Sequence, residues 1–158
     1  MDIKIEKELL ELWGKVGFIV NLSQMVEYNL ANILAFDEIL REFEETDSMF
    51  VFEYNEFAER SNNWYIKLSK STLGGNLRRA KEIKFFTDES EELLSKAIEK
   101  RNYVIHNLFK DDLKNQYLET NPKFYFDELE DTIELLHSIN ESLVEIFKLQ
   151  KEEHKLIW

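Results

Sequence analysis

Residues 96–109, with the sequence KAIEKRNYVIHNLF, place three polar groups on a helix that otherwise carries a core-forming stripe. The stripe recurs at three- and four-residue spacing through Leu94, Ala97, Ile98, Arg101, Ile105 and Leu108. Asn102 and His106 lie about 40° apart on one face, because each residue turns a helix by about 100°. Arg101 lies about 140° from His106, but its long side chain can fold back toward the histidine. One helix can therefore present all three groups to one pocket.

The same helical spacing of apolar residues extends along the whole chain of 158 residues. Four Gly and one Pro leave few places where strands could be separated by turns. A chain of this length fits a single domain that buries most of its core. The sequence therefore predicts an all-α fold, an up-and-down helical bundle of about five helices that forms one domain over residues 1–158.

The first helix is predicted from about Ile5 to about Leu34, and residues 35–45 can continue as a short second helix. The buried stripe of the first helix comprises Leu9, Leu12, Val16, Ile19 or Val20, Met25 or Val26, Leu30 and Ile33 or Leu34. Gly14 and Gly17 lie inside this helix, where each costs about 1 kcal/mol relative to Ala. They indicate the close approach of another helix, a kink, or simply tolerated flexibility.

Residues 46–54 interrupt the helical pattern. Thr46, Asp47 and Ser48 are typical of a turn, and the aromatic run Met49–Tyr54 is the one segment with strand character. A lone strand has no partner for its hydrogen bonds, which argues against a strand there. The remaining helices are predicted from near Asn55 to about Lys70, from a cap at Ser71 or Thr72 through Leu77 and Ile83, from a cap at Asp88 or Ser90 through residues 96–109, and from near Asp127 after a break at Asn121 and Pro122.

Composition excludes several classes of protein. The chain is 44% hydrophobic and 33% charged, which is too apolar for a disordered chain and too charged for a membrane protein. It contains no Cys, so disulfides, thiolate zinc sites, iron–sulfur clusters and a Cys nucleophile are excluded. The first residues lack a basic stretch followed by an apolar one, so no export segment or membrane span is expected. These features predict a soluble, cytoplasmic protein.

Charge is distributed unevenly along the chain. Its 20 Lys and Arg against 32 Asp and Glu give a net charge of -12, which repels nucleic-acid phosphates at long range. Residues 67–84 are the exception, because they hold six basic side chains and one acidic one between flanks of net charge -9 and -8. Within this basic tract Lys70, Arg78, Arg79 and Lys81 are candidate contacts for an RNA backbone. The alternatives are binding of an acidic partner and a merely solvated face.

Metal binding is another chemistry that the histidines suggest. Glu134 and His137 form one Glu-x-x-His pair, the spacing that binds iron in ferritin-like bundles. A di-iron centre needs a second such pair, and neither His106 nor His154 has a Glu three residues before it. The chain also lacks a phosphate-binding Gly loop, a nucleophile elbow and a zinc-protease helix. Neither a metal nor a cofactor is therefore predicted.

The stretch Arg101-Asn102-x-x-x-His106 resembles the Arg-x(4–6)-His motif of the HEPN superfamily, small all-helical domains that include many metal-independent ribonucleases. A polar residue directly after the Arg is usual in that family, as Asn102 is here, and Phe109 is similar to its downstream aromatic residue. The context is also similar, with Gly17, Glu27 and Leu30 on a long first helix, then Thr72-Leu73-Gly74, then the motif helix. The resemblance extends over about residues 9–109.

One position departs from a version of the family pattern in which a Tyr stands two residues after the His. Position 108 is Leu here, and Tyr103 lies inside the motif instead. In some members of the family that downstream Tyr is where a partner nucleotidyltransferase modifies and silences the toxin. The departure puts that form of regulation in doubt for this chain.

The resemblance implies a homodimer whose shared cleft brings together two copies each of Arg101 and His106. His106 would transfer protons or contact phosphate, Arg101 would stabilise the phosphate and the transition state, and Asn102 would orient the histidine or the substrate. Glu27 and Tyr103 are candidates to support these residues. Glu27 can pair with Arg101, and the alternative for Glu27 is a solvated position on the outer face.

The function implied by the resemblance is metal-independent cleavage of RNA by a toxin or by a defence or stress-response ribonuclease. A cognate antitoxin or regulatory protein is then an expected partner besides RNA. One alternative is a catalytically inactive HEPN-like module that binds a nucleotide or a protein. Another is a helical scaffold in which Arg101 and His106 form a structural Arg–Glu pair and a histidine at the edge of the core.

Overall fold

The computed structural model describes residues 2–45, 54–110 and 116–153, and all regular structure within these residues is helical. Six α-helices occur there, α1 (Ile3–Glu45), α2 (Tyr54–Ser69), α3 (Leu73–Ala80), α4 (Asp88–His106), α5 (Tyr117–Thr120) and α6 (Phe126–Glu153), with a 3-10 turn at Pro122–Tyr125 before α6. The predicted all-α bundle is confirmed. The predicted turn at 46–48 and residues 49–53 of the possible strand lie outside the described residues. None of the described helices is long and apolar enough to cross a membrane.

The helices alternate in direction along the bundle. α2 runs antiparallel to α1, the short α3 returns along α1, α4 reverses again, and α6 runs parallel to α1. The contacts Tyr28–Tyr65 and Phe36–Phe57 set the direction of α2, and the cavity shared by Tyr28 and Leu73 together with the pair Glu38–Arg79 sets that of α3. Between α4 and α6 the contacts are Ser90–Ser142 and Lys100–Glu128. Between α1 and α6 they are Lys15–Glu130 and Asn29–Asn140. This alternation matches the predicted up-and-down order.

The core forms around α1, which packs against α2, α3 and α6. The side chains with at most 2% exposure include Leu12, Ile19, Leu22, Val26, Leu30 and Ile33 of α1, Leu94, Ala97 and Val104 of α4, and Leu129, Leu136, Ile139 and Leu143 of α6. Where the predicted stripe of α1 left a choice, Ile19 and Val26 are the buried members, while Val20 and Met25 are exposed. Burial of this stripe is the main stabilising contribution to the bundle.

Helix α1 continues without a break to Glu45, so residues 35–45 do not form the separate short helix that was predicted. That segment contains neither Gly nor Pro, and Arg41 donates from Nε to Oδ2 of Asp37 one turn earlier at 3.0 Å. Phe36 and Ile39 are buried against Phe57 of α2. Packing on α2 and the absence of a helix breaker together carry the helix through this segment.

Helix α3 is shorter than predicted. Thr72 caps it, as one of the two predicted alternatives, because its Oγ1 accepts a hydrogen bond from the backbone N–H of Gly75 at 3.1 Å. The helix ends at Ala80, and Ile83 is buried in the turns that follow instead of in the helix. Ile83 is part of the core although it lies outside the helix. The apolar spacing therefore identified a buried residue but overestimated the length of the helix.

Helix α4 begins one residue after its cap, Thr87, so the predicted caps Asp88 and Ser90 are wrong. The Thr87 hydroxyl accepts a hydrogen bond from the backbone N–H of Ser90 at 3.2 Å. Ser90 is buried, and its hydroxyl lies 3.2 Å from that of Ser142 on α6. Thr, Asp and Ser all cap helices, and the sequence has one of each close together at the start of α4. The contact with α6 shows that Ser90 belongs to the packed first turn and not to the cap.

Gly14 and Gly17 lie on the exposed side of α1. Apart from the adjacent residues and the nearby backbone of α1 itself, no atom lies within 4 Å of a Cβ placed on either residue. The predicted close approach of another helix is therefore wrong for the described part of this chain. The helix continues through both positions without interruption.

Candidate functional site

The motif side chains lie in the last two turns of α4. Arg101 and Asn102 are half-buried, whereas His106, the last residue of the helix, is exposed. The helix ends there because Asn107 leaves helical geometry, and the N–H groups of Asn107 and Leu108 both donate to the carbonyl of Tyr103, at 2.8 and 2.9 Å. His106 consequently stands at the end of the helix, shortly before Leu108, which returns to the core.

Two side chains hold the guanidinium of Arg101. Nη1 donates to Oδ1 of Asn102 at 2.9 Å, and Nη2 donates to Oε1 of Glu27 on α1 at 3.3 Å. The Nε atom is buried without a hydrogen-bond partner among the described residues. The arginine side chain as a whole is 23% exposed. The contact that the sequence suggested between Glu27 and Arg101 is present, and it joins the motif helix to α1.

His106 makes no hydrogen bond or ion pair with any residue in the described part of the chain. Arg101 reaches toward Glu27 and does not fold back onto the histidine. Asn102 accepts a hydrogen bond from Arg101 and makes none with His106. Within one protomer the structure thus joins Arg101, Asn102 and Glu27, and leaves His106 apart on the same helix.

The outer face of α4 beside His106 is partly apolar. Ile105 was predicted to belong to the buried stripe, but it is 36% exposed, and Val104 is buried in its place. The spacing from Arg101 to Leu108 fits either residue equally well, and it is Val104 that packs into the core. Tyr103 is also exposed, at 44%. The histidine is therefore flanked by apolar side chains that face solvent.

A small cavity lies on the other side of Glu27, between α1, α2 and the start of α3. It measures about 130 Å³, and we refer to it as the Glu27 pocket. Its lining includes Gln24, Glu27, Tyr28, Tyr65, Ser71 and Asn76. The pocket could not be predicted from the sequence, because it forms only where residues of α1, α2 and the start of α3 come together. Glu27 connects the pocket to Arg101.

Three of the six basic side chains of the tract are paired with acidic side chains from other helices. Arg79 lies 3.9 Å from Glu38, Lys81 pairs with Glu91, Lys84 pairs with Glu153, and Lys67 lies over the ring of Trp64 at 4.3 Å. Lys70 and Arg78 are exposed and make no ion pair with any described residue. The pairing reduces the positive charge that the tract offers to a phosphate backbone. In the chain, the unpaired Lys70 stands between Ser69 and Ser71, two residues that line the Glu27 pocket.

Lys100 directly precedes Arg101 in the sequence, but its side chain makes a structural contact with another helix. Its Nζ donates to Oε1 of Glu128 on α6 at 2.8 Å. This hydrogen bond raises the pKa of Lys100 above its ordinary value. Lys100 and Arg101 therefore connect α4 to two different helices, Lys100 to α6 and Arg101 to α1, which fixes the rotation of the motif helix.

The histidine of the Glu-x-x-His pair, His137, lies on a different helix from His106. His137 is exposed on α6, with its ring 5.5 Å from that of Phe18. The described residues contain no group of three or more His, Asp and Glu side chains placed to hold a metal ion. His154 lies outside the described residues.

Comparison of the chain with protein-family models, with curated proteins and with solved structures found no match in any of the three. Membership of the HEPN superfamily therefore stays a prediction that rests on the residues of the motif and their context.

Proposed function

We propose that this chain is a metal-independent endoribonuclease of HEPN type, acting as a toxin or as a defence or stress-response enzyme through a composite site at a homodimer cleft. The observation that carries the proposal is the guanidinium of Arg101, which Asn102 and Glu27 hold in place while the side chain as a whole stays 23% exposed. An arginine positioned in this way is prepared to bind a phosphate and to stabilise the charge that develops on it.

Cleavage of RNA through its own 2′-hydroxyl needs two proton transfers. The 2′-oxygen attacks the adjacent phosphorus and loses its proton to a base, and the bond from phosphorus to the 5′-oxygen breaks as that oxygen takes a proton from an acid. The product carries a 2′,3′-cyclic phosphate. A histidine can fill either role near neutral pH, and two copies of His106 fill both.

The exposure of His106 supports a second protomer in the site. One chain offers a single histidine that faces solvent and does not contact Arg101. The exposed apolar side chains Tyr103 and Ile105 lie beside it, and apolar groups of this kind favour association of helices. A two-fold axis near the end of α4 would place two copies of His106 and Arg101 around one phosphate.

A binding module without catalysis is the second candidate. The observation that favours it is the absence of any described side chain that holds His106 in one orientation. Catalytic histidines are commonly oriented by a hydrogen bond to the second ring nitrogen. In this alternative Arg101 binds the phosphate of a nucleotide or an acidic partner, and no bond is broken.

The test is cleavage of a labelled RNA of mixed sequence in EDTA. The proteins to compare are the wild type, Arg101→Ala, His106→Ala and, as a matched control, His137→Ala, whose histidine is exposed on a different helix. We expect both motif variants to lose at least about 100-fold in rate. The control should keep the wild-type rate, and the product should end in a cyclic phosphate.

Helical content and sedimentation of each variant are measured beside its cleavage rate, so that loss of folding is not mistaken for loss of catalysis. Equal loss in the His137→Ala control would contradict the assignment. RNA binding without cleavage by the wild type, with affinity lost in Arg101→Ala, would support the binding module instead.

A further inference from the structure

Two residues that line the Glu27 pocket, Glu27 and Asn76, carry hydrogen-bond acceptors without a described partner. Oε1 of Glu27 accepts from Arg101, but Oε2 makes no hydrogen bond with any described residue. Asn76 is 4% exposed, and its Nδ2 donates to the carbonyl of Leu68 at 3.1 Å. This contact fixes which side of the amide carries the oxygen, and Oδ1 is left buried without a partner. A buried acceptor without a donor is costly, so a ligand that supplies N–H groups would stabilise this pocket.

The size of the pocket limits the ligand. Sites for drug-sized molecules occupy about 300 to 1,000 Å³. A volume of about 130 Å³ admits a single planar ring system and not a whole nucleotide. The sugar and phosphate of a nucleotide whose base entered the pocket would have to remain outside it.

Two tyrosines provide surfaces on which a planar ring can stack. The rings of Tyr28 and Tyr65 lie 5.6 Å apart at an angle of 67°, so an edge of one meets a face of the other. Tyr28 is 56% exposed, and part of its ring is therefore available to a ligand. Unstacked RNA bases are commonly bound in this way, by an aromatic side chain together with hydrogen bonds to the base edge.

Two cationic residues adjoin residues that line the pocket. Arg101 donates a hydrogen bond to Glu27, and Lys70 stands between the lining residues Ser69 and Ser71 in the chain. Lys70 is exposed and forms no ion pair with any residue in the described ranges. The neighbourhood therefore combines an acceptor-rich pocket for a base with positive charge for the backbone.

Among the four RNA bases, guanine presents the most N–H groups on one edge, from N1 and from the exocyclic N2. Adenine and cytosine offer one amino group, and uracil offers one ring N–H. We infer that the Glu27 pocket is a guanine-binding subsite, an inference that rests on the proposed function because it names the base of the RNA that Arg101 and His106 would cleave.

The test measures binding of guanosine, inosine and uridine 5′-monophosphates by calorimetry. Inosine lacks the N2 amino group but keeps the rest of the purine. We expect guanosine monophosphate to bind about tenfold more tightly than either of the others, since one or two hydrogen bonds are lost with each. Guanines should also lie next to the cleaved bonds when the RNA products are sequenced.

Three variants assign the binding to this pocket. Tyr28→Ala should weaken binding of guanosine monophosphate about tenfold, because stacking is lost, and Tyr28→Phe should keep it. Tyr117→Ala removes a tyrosine of similar exposure on α5 and should change nothing. Equal affinity for guanosine and uridine monophosphates, or equal loss in Tyr28→Ala and Tyr117→Ala, would overturn the inference.

The binding measurement also separates this inference from the proposed function. Selective binding of guanosine monophosphate by both the wild type and His106→Ala, without cleavage of any RNA, would support the subsite and reject catalysis. Cleavage of RNA that depends on His106 but shows no preference for guanine would support catalysis and reject the subsite.

Discussion

At the scale of single residues, Glu27 determines what Arg101 can do. The carboxylate anchors the guanidinium to α1 across 3.3 Å, and it also places a negative charge beside the position proposed for a phosphate. Anchoring favours a fixed geometry, whereas the charge weakens the binding of an anion. The two effects oppose each other, and a substitution that keeps the shape but removes the charge can separate them.

We predict that Glu27→Gln binds RNA more tightly than the wild type. A unit charge about 6 Å from a phosphate in water-like surroundings contributes about 0.7 kcal/mol, which corresponds to about a threefold lower Kd. The measurement is the affinity for an uncleavable 2′-O-methyl oligouridine, which contains no guanine. Glu134→Gln, on α6, removes the same charge from an exposed position without a described ion pair. The same change in both variants would show a general charge effect and contradict a specific one.

At the scale of helices, the exposed glycines make α1 less stable than alanine at the same positions would. Gly14 and Gly17 are helical, and a Cβ on either would meet no other atom within 4 Å. We predict that Gly17→Ala raises the free energy of unfolding by about 0.5 to 1 kcal/mol, because alanine loses less backbone entropy on folding. Urea denaturation measures the change.

Gly75→Ala is the comparison for this prediction. A Cβ at position 75 would lie 3.1 Å from Oγ1 of Thr72, the hydroxyl that caps α3. The gain in helix propensity is offset there by the disturbed cap, so a smaller gain or a loss is expected. A loss of stability in Gly17→Ala would indicate that this face of α1 is covered in the folded protein.

The helical spacing of apolar residues predicted which segments form helices better than it predicted where those helices begin and end. The stripes through Leu12, Leu30 and Leu94 are buried as predicted, because an amphipathic helix must cover its apolar face. The ends of a helix depend on single capping hydrogen bonds, and several side chains around Thr87 are of types that could form the cap. The choice between Val104 and Ile105 likewise depended on how α4 is rotated against the core, which spacing alone does not specify.

The candidate site could be predicted only in part. Arg101, Asn102, His106 and Glu27 were identified from the motif and its context, and the contact between Glu27 and Arg101 is present. The Glu27 pocket could not be predicted, because it needs α1, α2 and α3 to meet, and it includes Asn76, whose buried amide follows no local pattern. The ion pairs that neutralise much of the basic tract were missed for the same reason.

At the scale of the whole molecule, the composite site requires two chains to meet near the end of α4. We predict that the protein sediments as a dimer, at twice the 19.0 kDa mass of one chain. Ile105→Asp should shift it toward monomer and reduce RNA cleavage together, because a charge would be buried in the interface. Val144→Asp, at a position that is 53% exposed on α6, is the matched control and should alter neither property. A wild type that remains strictly monomeric would contradict the composite site.

The central claim is that His106 breaks bonds in RNA that Arg101 binds. The most direct measurement compares the wild type and His106→Ala on an RNA and on its 2′-O-methyl counterpart of the same sequence, in EDTA. We expect similar affinities of both proteins for the methylated strand, cleavage of the unmodified strand by the wild type alone, and a product that ends in a cyclic phosphate. Cleavage by His106→Ala at the wild-type rate, or of the methylated strand by the wild type, would contradict the claim.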